Sequence, residues 1–142
     1  MLIEGSCHCG NIGFHLRWEP DPVEIPARAC TCSFCTKHGG VWTAHPAASL
    51  RITVDDPTLL SRYAFGTHTA DFLVCARCGA VPAVLSRIEG RLYAVVNVNT
   101  FEGAARPLLR PGPVSFDDES EAERLARRQR GWIGDVTIAG ID

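Results

Sequence analysis

What this sequence of 142 residues lacks narrows its function before any motif is read. No apolar run approaches the roughly 20 residues of a membrane-crossing helix, so membrane-spanning classes are set aside. Residues 1–5 carry no basic stretch leading into an apolar one. No signal peptide is therefore expected, and the expected compartment is the cytoplasm. Neither sign of charge is in excess: 14 Lys and Arg stand against 16 Asp and Glu, a net charge of −2. That balance supplies no field to recruit nucleic acid or an anionic membrane, and aromatic residues do not cluster among the basic ones. Internal repeats, low-complexity stretches and linkers are absent too. The composition, 46% hydrophobic and 21% charged, is that of one globular domain over residues 1–142 with a core of its own.

An even cysteine count is also missing. The seven cysteines fall in three clusters: Cys7 with Cys9, then Cys30, Cys32 and Cys35, then Cys75 with Cys78. A secreted disulfide framework would favour an even number and a leader, and plain core cysteines would be scattered. Thiols this close in sequence rarely reach disulfide geometry, whereas their thiolates can sit about 2.3 Å from one zinc ion. The pattern points to metal binding. The central C-x-C-x-x-C holds three thiols, the number a catalytic zinc takes when a position is left open; a structural zinc takes four.

Along the chain, Ile12, Phe14, Leu16 and Trp18 alternate with Gly13, His15 and Arg17, a strand with one buried face and a solvated His15. Residues 19–22 are a proline-rich break, and 23–29 are extended. Residues 33–38 form one helical turn stopped by Gly39-Gly40. Strands are expected over 41–45, 50–54 and 59–65. A strand over 71–74 feeds Cys75-Ala76-Arg77-Cys78-Gly79, a knuckle whose glycine permits a left-handed turn. Residues 80–88 and 91–98 make a hairpin about Glu89-Gly90, with Leu92, Ala94, Val96 and Val98 on one face and Asn97 and Asn99 on the other. Residues 107–113 carry three prolines and read as a loop. Residues 117–130 start acidic and end in Arg124, Arg127, Arg128 and Arg130, which reads as the one clear helix. Its arginines are expected to form a solvated face, not an anion patch. The fold class is mainly β with one C-terminal helix.

Spacing leaves the metal partition open. Cys32, Cys35, Cys75 and Cys78 would make a zinc ribbon; alternatively Cys7, Cys9, Cys75 and Cys78 close one site and leave Cys30, Cys32 and Cys35 as an open one. Taken in order, Gly5-Ser6-Cys7-His8-Cys9-Gly10, Cys30-Thr31-Cys32-Ser33-Phe34-Cys35 and Cys75-Ala76-Arg77-Cys78-Gly79 resemble the signature of the glutathione-dependent formaldehyde-activating enzyme family. That family includes the centromere-protein-V relatives. The resemblance covers roughly residues 2 to 103. It implies a β-tent of small twisted antiparallel sheets and two zinc ions. One would be structural on Cys7, Cys9, Cys75 and Cys78, the other catalytic on Cys30, Cys32 and Cys35. It also implies carbon–sulfur lyase chemistry, the joining of formaldehyde to glutathione and its reversal.

Three thiolates leave a divalent zinc with a net charge of about −1, which acidifies bound water less than three histidines do. Such a centre suits a fourth soft ligand, the sulfur of a small thiol. The expected partner is therefore a small-molecule adduct of a thiol and an aldehyde. His38, three residues after Cys35, is a candidate proton relay; the plainer reading is a surface histidine or a fourth ligand. Trp42 and Phe34 are candidates to wall a substrate pocket, and Asn97 and Asn99 to hydrogen-bond a peptide-like substrate. Two other function classes compete: a non-catalytic zinc-stapled module binding protein or nucleic acid, and a thiol redox protein using Cys32 and Cys35. The latter would need those thiols free of metal.

Overall fold

The computed structural model describes residues 1–140. Its elements run β1 (Leu2–Ser6), β2 (Ile12–Arg17), β3 (Ile25–Cys30), α1 (Ser33–His38), β4 (Val41–Thr43), β5 (Ser49–Val54), β6 (Leu60–Tyr63), β7 (Asp71–Cys75), β8 (Ala83–Ile88), β9 (Arg91–Asn97), β10 (Phe101–Glu102), β11 (Leu109–Val114), α2 (Glu121–Gly131) and β12 (Asp135–Ala139). The fold is mainly β, in two sheets. A five-stranded sheet has the order β10-β1-β2-β5-β12, and a seven-stranded sheet the order β11-β3-β4-β9-β8-β7-β6. Among the described residues no helix is long and apolar enough to cross a membrane.

The alternation read in β2 sets the core of the smaller sheet. Ile12, Phe14 and Leu16 are buried, facing inward beside Leu50, Ile52 and Val54 of the paired β5. Each such side chain contributes about 1.5–3 kcal/mol on burial. His15 stands on the opposite, exposed face, 3.3 Å from Glu4 across the ladder.

In the larger sheet β8 and β9 are buried on both faces. Ala83, Leu85, Ala94 and Val96 pack into the core, while Val84 and Val95, paired in register, turn to the other side. Asn97 does lie on the opposite face from Val96, as the alternation requires. It is buried at 6% exposure, because that face is also covered.

Four features depart from the sequence reading. β1 forms where no strand was expected. Residues 107–113 are largely a strand: β11 pairs in parallel with β3 at the edge of the sheet. Pro111 and Pro113 are two residues apart, so both missing N–H groups fall on the outer edge, where no ladder bond is needed. β12 adds a second parallel pair, on β5. Finally, α2 begins at Glu121 rather than at residue 117. Ser120 caps it: its Oγ accepts from Glu123 N and its own N–H donates to Glu123 Oε1. This reciprocal capping box fixes the start of the helix.

Candidate functional site

The structure gathers the seven cysteines into two groups, each tight enough to hold one metal ion. The first is Cys7, Cys9, Cys75 and Cys78. Cys7 and Cys9 lie in the turn after β1 of the smaller sheet, and Cys75 closes β7 of the larger one, so this group ties the two sheets together. The Cys9 Sγ lies 3.8 Å from Cys7 Sγ and 3.5 Å from Cys75 Sγ. A tetrahedron of sulfurs about 2.3 Å from a central ion has edges of about 3.8 Å. The donor set therefore fits zinc.

Backbone amides are already aimed at the sulfurs: Ile12 N–H donates to Cys7 Sγ at 3.3 Å and Cys78 N–H to Cys75 Sγ at 3.5 Å. Gly79 has φ of 80° and returns its N–H to Cys75 O, the left-handed turn the knuckle needs.

The second group is Cys30, Cys32 and Cys35, with sulfurs all within 4.8 Å of one another. Cys30 ends β3, Cys32 is the N-cap of α1, and Cys35 is buried on that helix. As a cap, the Cys32 sulfur accepts from Cys35 N–H at 3.3 Å. The indole of Trp42 donates through Nε1 to Cys35 Sγ at 3.4 Å. Gly40 allows this approach, since a Cβ there would stand 2.7 Å from both the Trp42 and the His38 ring.

Crowded thiols cannot all ionise together without a cation among them. The Cys35 thiol is pushed up because it donates to Cys30 and is buried. Cys30, accepting from Cys35, is drawn down to about 5 despite its burial. In the other group burial pushes Cys7 up to about 12. Burial acts upward on Cys78 as well, but hydrogen bonds from the Ala80 and Cys9 amides bring it down to about 6. Each group thus holds one ready thiolate and one reluctant thiol, a proton-sharing set that a divalent cation would complete.

The three-cysteine group opens into a cavity of about 470 Å³. Its floor is the covered face of the larger sheet, including Trp42, Phe72, Val84 and Val95. The loop between β6 and β7 forms one side through Phe65, Thr67 and Thr69. The segment after β11 and helix α2 close the other, with Phe116, Arg124, Arg127, Arg128 and Trp132.

Of the candidates named from sequence, Trp42 lines this cavity beside the thiols. Phe34 sits one layer behind, with its ring 4.7 Å from Phe72 and 4.4 Å from His38. His38 is wedged among Phe34, Trp42 and Phe72 and is not part of the cavity lining; burial lowers its pKa, and its Nε2 has no hydrogen-bond partner. Asn97 and Asn99 are not brought to the cavity. Asn97 donates to Val81 O and accepts from Asn99 N–H, and Asn99 donates to Gly39 O. Both amides are spent on holding backbone.

The expectation of a solvated arginine face holds for Arg130, which is exposed, and is overturned for the other three. Arg128 is 6% exposed, and Arg124 and Arg127 are largely covered. The spacing of 124, 127 and 128 did place them on one helix face; what it lacked was any sign that the face packs against the sheet. Arg28 had no sequence signal.

The model of the family described as "Glutathione-dependent formaldehyde-activating enzyme" matches residues 2–112. The chain belongs to that family. A Halomonas elongata relative described as "Putative glutathione-dependent formaldehyde-activating enzyme" is 45% identical over 40 residues. That match spans 28% of this chain and only 24% of the relative's length. The crystal structure of a Rhodobacter sphaeroides protein is similar with a TM-score of 0.59 and 29% identity, covering 78% of this chain and 99% of that one. Both cysteine groups fall within the formaldehyde-activating family match. Helix α2 and strand β12 lie beyond it.

Proposed function

We propose that this chain is a zinc-dependent carbon–sulfur lyase acting on the adduct of a small thiol and an aldehyde, with glutathione and formaldehyde the pair its family suggests. The observation that carries the reading is a group of three cysteines, one short of a closed tetrahedral set, lining a cavity, beside a second group with all four donors. Cys30, Cys32 and Cys35 would hold one zinc ion, and Cys7, Cys9, Cys75 and Cys78 the other. A zinc ion bound by three thiolates supplies Lewis acidity that lowers the pKa of a thiol and steadies a thiolate leaving group.

In the forward direction the thiol sulfur bonds to the aldehyde carbon and the carbonyl oxygen takes a proton; in reverse the same bond breaks. The chain's own residues prepare this chemistry. Trp42 and the Cys35 amide hydrogen-bond the sulfurs, which tempers their charge and fixes their direction. Phe65, Phe72, Val84 and Val95 exclude water from a reaction that releases a reactive aldehyde. For His38 two roles are proposed for test: it positions Trp42, whose ring is 5.9 Å away, or it relays the proton. Trp42 is proposed to contact substrate directly, with Phe34 supporting the wall behind it. Asn97 and Asn99 would act at one remove, by shaping the turn that carries α1 and β9.

The test is metal content with activity. Freshly purified protein should hold about two zinc ions per chain, and Cys32→Ala about one without unfolding. Carbon NMR magnetisation exchange should then show faster interconversion of formaldehyde, glutathione and their adduct with wild type than with Cys32→Ala. One tightly held zinc in both proteins, with no effect on exchange, would refute the reading and favour a binding module.

A further inference from the structure

Four guanidinium groups face the cavity, and they are not equivalent. Arg124 and Arg127 share Glu119: Arg127 donates from Nε and Nη2 to its two oxygens at 2.8 and 3.0 Å, and Arg124 Nε lies 3.7 Å from one of them. Arg127 also lies 3.6 Å over the Phe116 ring. Both thus have a carboxylate within ion-pair distance, although Glu119 supplies one charge for the two and Arg124 Nε has no hydrogen-bond partner.

Arg128 is different. It is buried, yet among the described residues no carboxylate comes within ion-pair distance of it. Its Nη1 donates to neutral groups only: Thr69 Oγ1 at 2.9 Å, Ser86 Oγ at 3.1 Å and Thr69 O at 3.3 Å. Its guanidinium lies 4.9 Å over Trp132, and its buried Nε has no acceptor at all. Burial and the charges of Arg127 and Arg124 lower its pKa to about 10, so it stays a cation at neutral pH.

Arg28 repeats the pattern from the other side. It is half-buried on β3, in register with Trp42, and has no ion-pair partner among the described residues. Asp117 is the one carboxylate lining the cavity, and it is exposed. A charge withdrawn from water without a counter-charge is costly, and in a cleft such a group marks a place for a ligand. The cavity is also within the range that takes small organic ligands.

We propose that Arg128 and Arg28 form a carboxylate subsite, so that the thiol this chain accepts is an acidic, peptide-like one, anchored by its carboxylate while its sulfur reaches the three-cysteine end. This rests on the reaction proposed above. Arg28 lies within residues 2–112 and Arg128 outside them, so half of the subsite would be contributed by the C-terminal segment beyond the part that matches the family. The planar fork of arginine suits a carboxylate bidentately, and no thiol, aldehyde or alcohol supplies the missing charge.

The experiment compares S-methylglutathione, an unreactive thioether, with its dimethyl ester by titration calorimetry on wild-type protein. The acid should bind about tenfold more tightly or better, the size of a charge-assisted hydrogen bond. Arg128→Gln and Arg28→Gln should each bring the acid's affinity down toward that of the ester. Equal affinity of acid and ester for wild type would overturn the subsite, and that comparison needs no variant to fold. Variants that weaken acid and ester alike would also overturn it, as a structural effect. Turnover keeps the two readings apart. An active enzyme indifferent to the ester refutes the subsite alone; selective acid binding without turnover supports the subsite and refutes the lyase reaction.

Discussion

Replacing both Cys75 and Cys78 by Ala removes one sheet's share of the four-thiol group, and the structure sets the size of the effect. Cys9 and Cys75, 3.5 Å apart, are 66 residues apart in sequence and belong to different sheets. A cross-link there removes loop-closure entropy from the unfolded chain much as a disulfide does, about 4 kcal/mol for a loop of this length. That is a large part of the total stability of an ordinary domain. For a chain of this size it corresponds to a fall of about 15 °C in Tm.

The control is Cys32→Ala. Its group spans six positions and closes no long loop, so the substitution loses little beyond a helix cap, about 1 kcal/mol, or about 4 °C. Thermal melts by circular dichroism, run with and without a zinc chelator, check both values. Chelation should bring wild type down close to the double variant. Equal shifts for the two variants, or a chelator-insensitive wild type, would refute the claim that the four-thiol group staples the sheets.

Three further outcomes follow from single sites. Burial lowers the His38 pKa in the folded state below the ordinary histidine value of about 6.5. Its contribution is therefore fully present above about pH 6.5 and is lost as pH falls through the lowered value, because the unfolded chain takes up the proton first. His38→Phe should flatten the denaturant midpoint below pH 6.5; if proton relay is its role, the variant also loses the acidic limb of the pH–rate profile. Gly40→Ala would force a methyl to 2.7 Å from Trp42 and His38, so we expect a loss of about 1–3 kcal/mol by urea titration, with weakened thiol-adduct turnover. Ser120→Ala removes the cap of α2 and should cost about 1 kcal/mol, with hydrogen exchange rising first in residues 121–124.

The thiol clusters that could hold metal were readable from the order of residues because ligand choice is a local matter. Two or three thiols within a turn have few stable uses other than a soft cation, and the glycine after Cys78 announces the knuckle. The buried face of β2 and the Glu89-Gly90 hairpin were legible for the same reason, since alternation and turn chemistry act over a few residues. The partition of the thiols was not local. Cys7 and Cys9 meet Cys75 and Cys78 only because two sheets stack, and spacing alone allowed a ribbon instead.

The sheet edges and the helix that closes one side of the cavity depend on tertiary structure. Proline argues against a strand wherever a ladder needs its N–H, but Pro111 and Pro113 turn that missing group outward at an edge. Arginines at the end of an amphipathic helix look solvated in any sequence. Here α2 lies over the doubly covered centre of the larger sheet, so Arg128 meets Thr69 and Ser86 instead of water. Which atoms can bind metal is written in the order of residues; that a cationic cavity stands in front of three of them follows from the packing of one helix across one sheet.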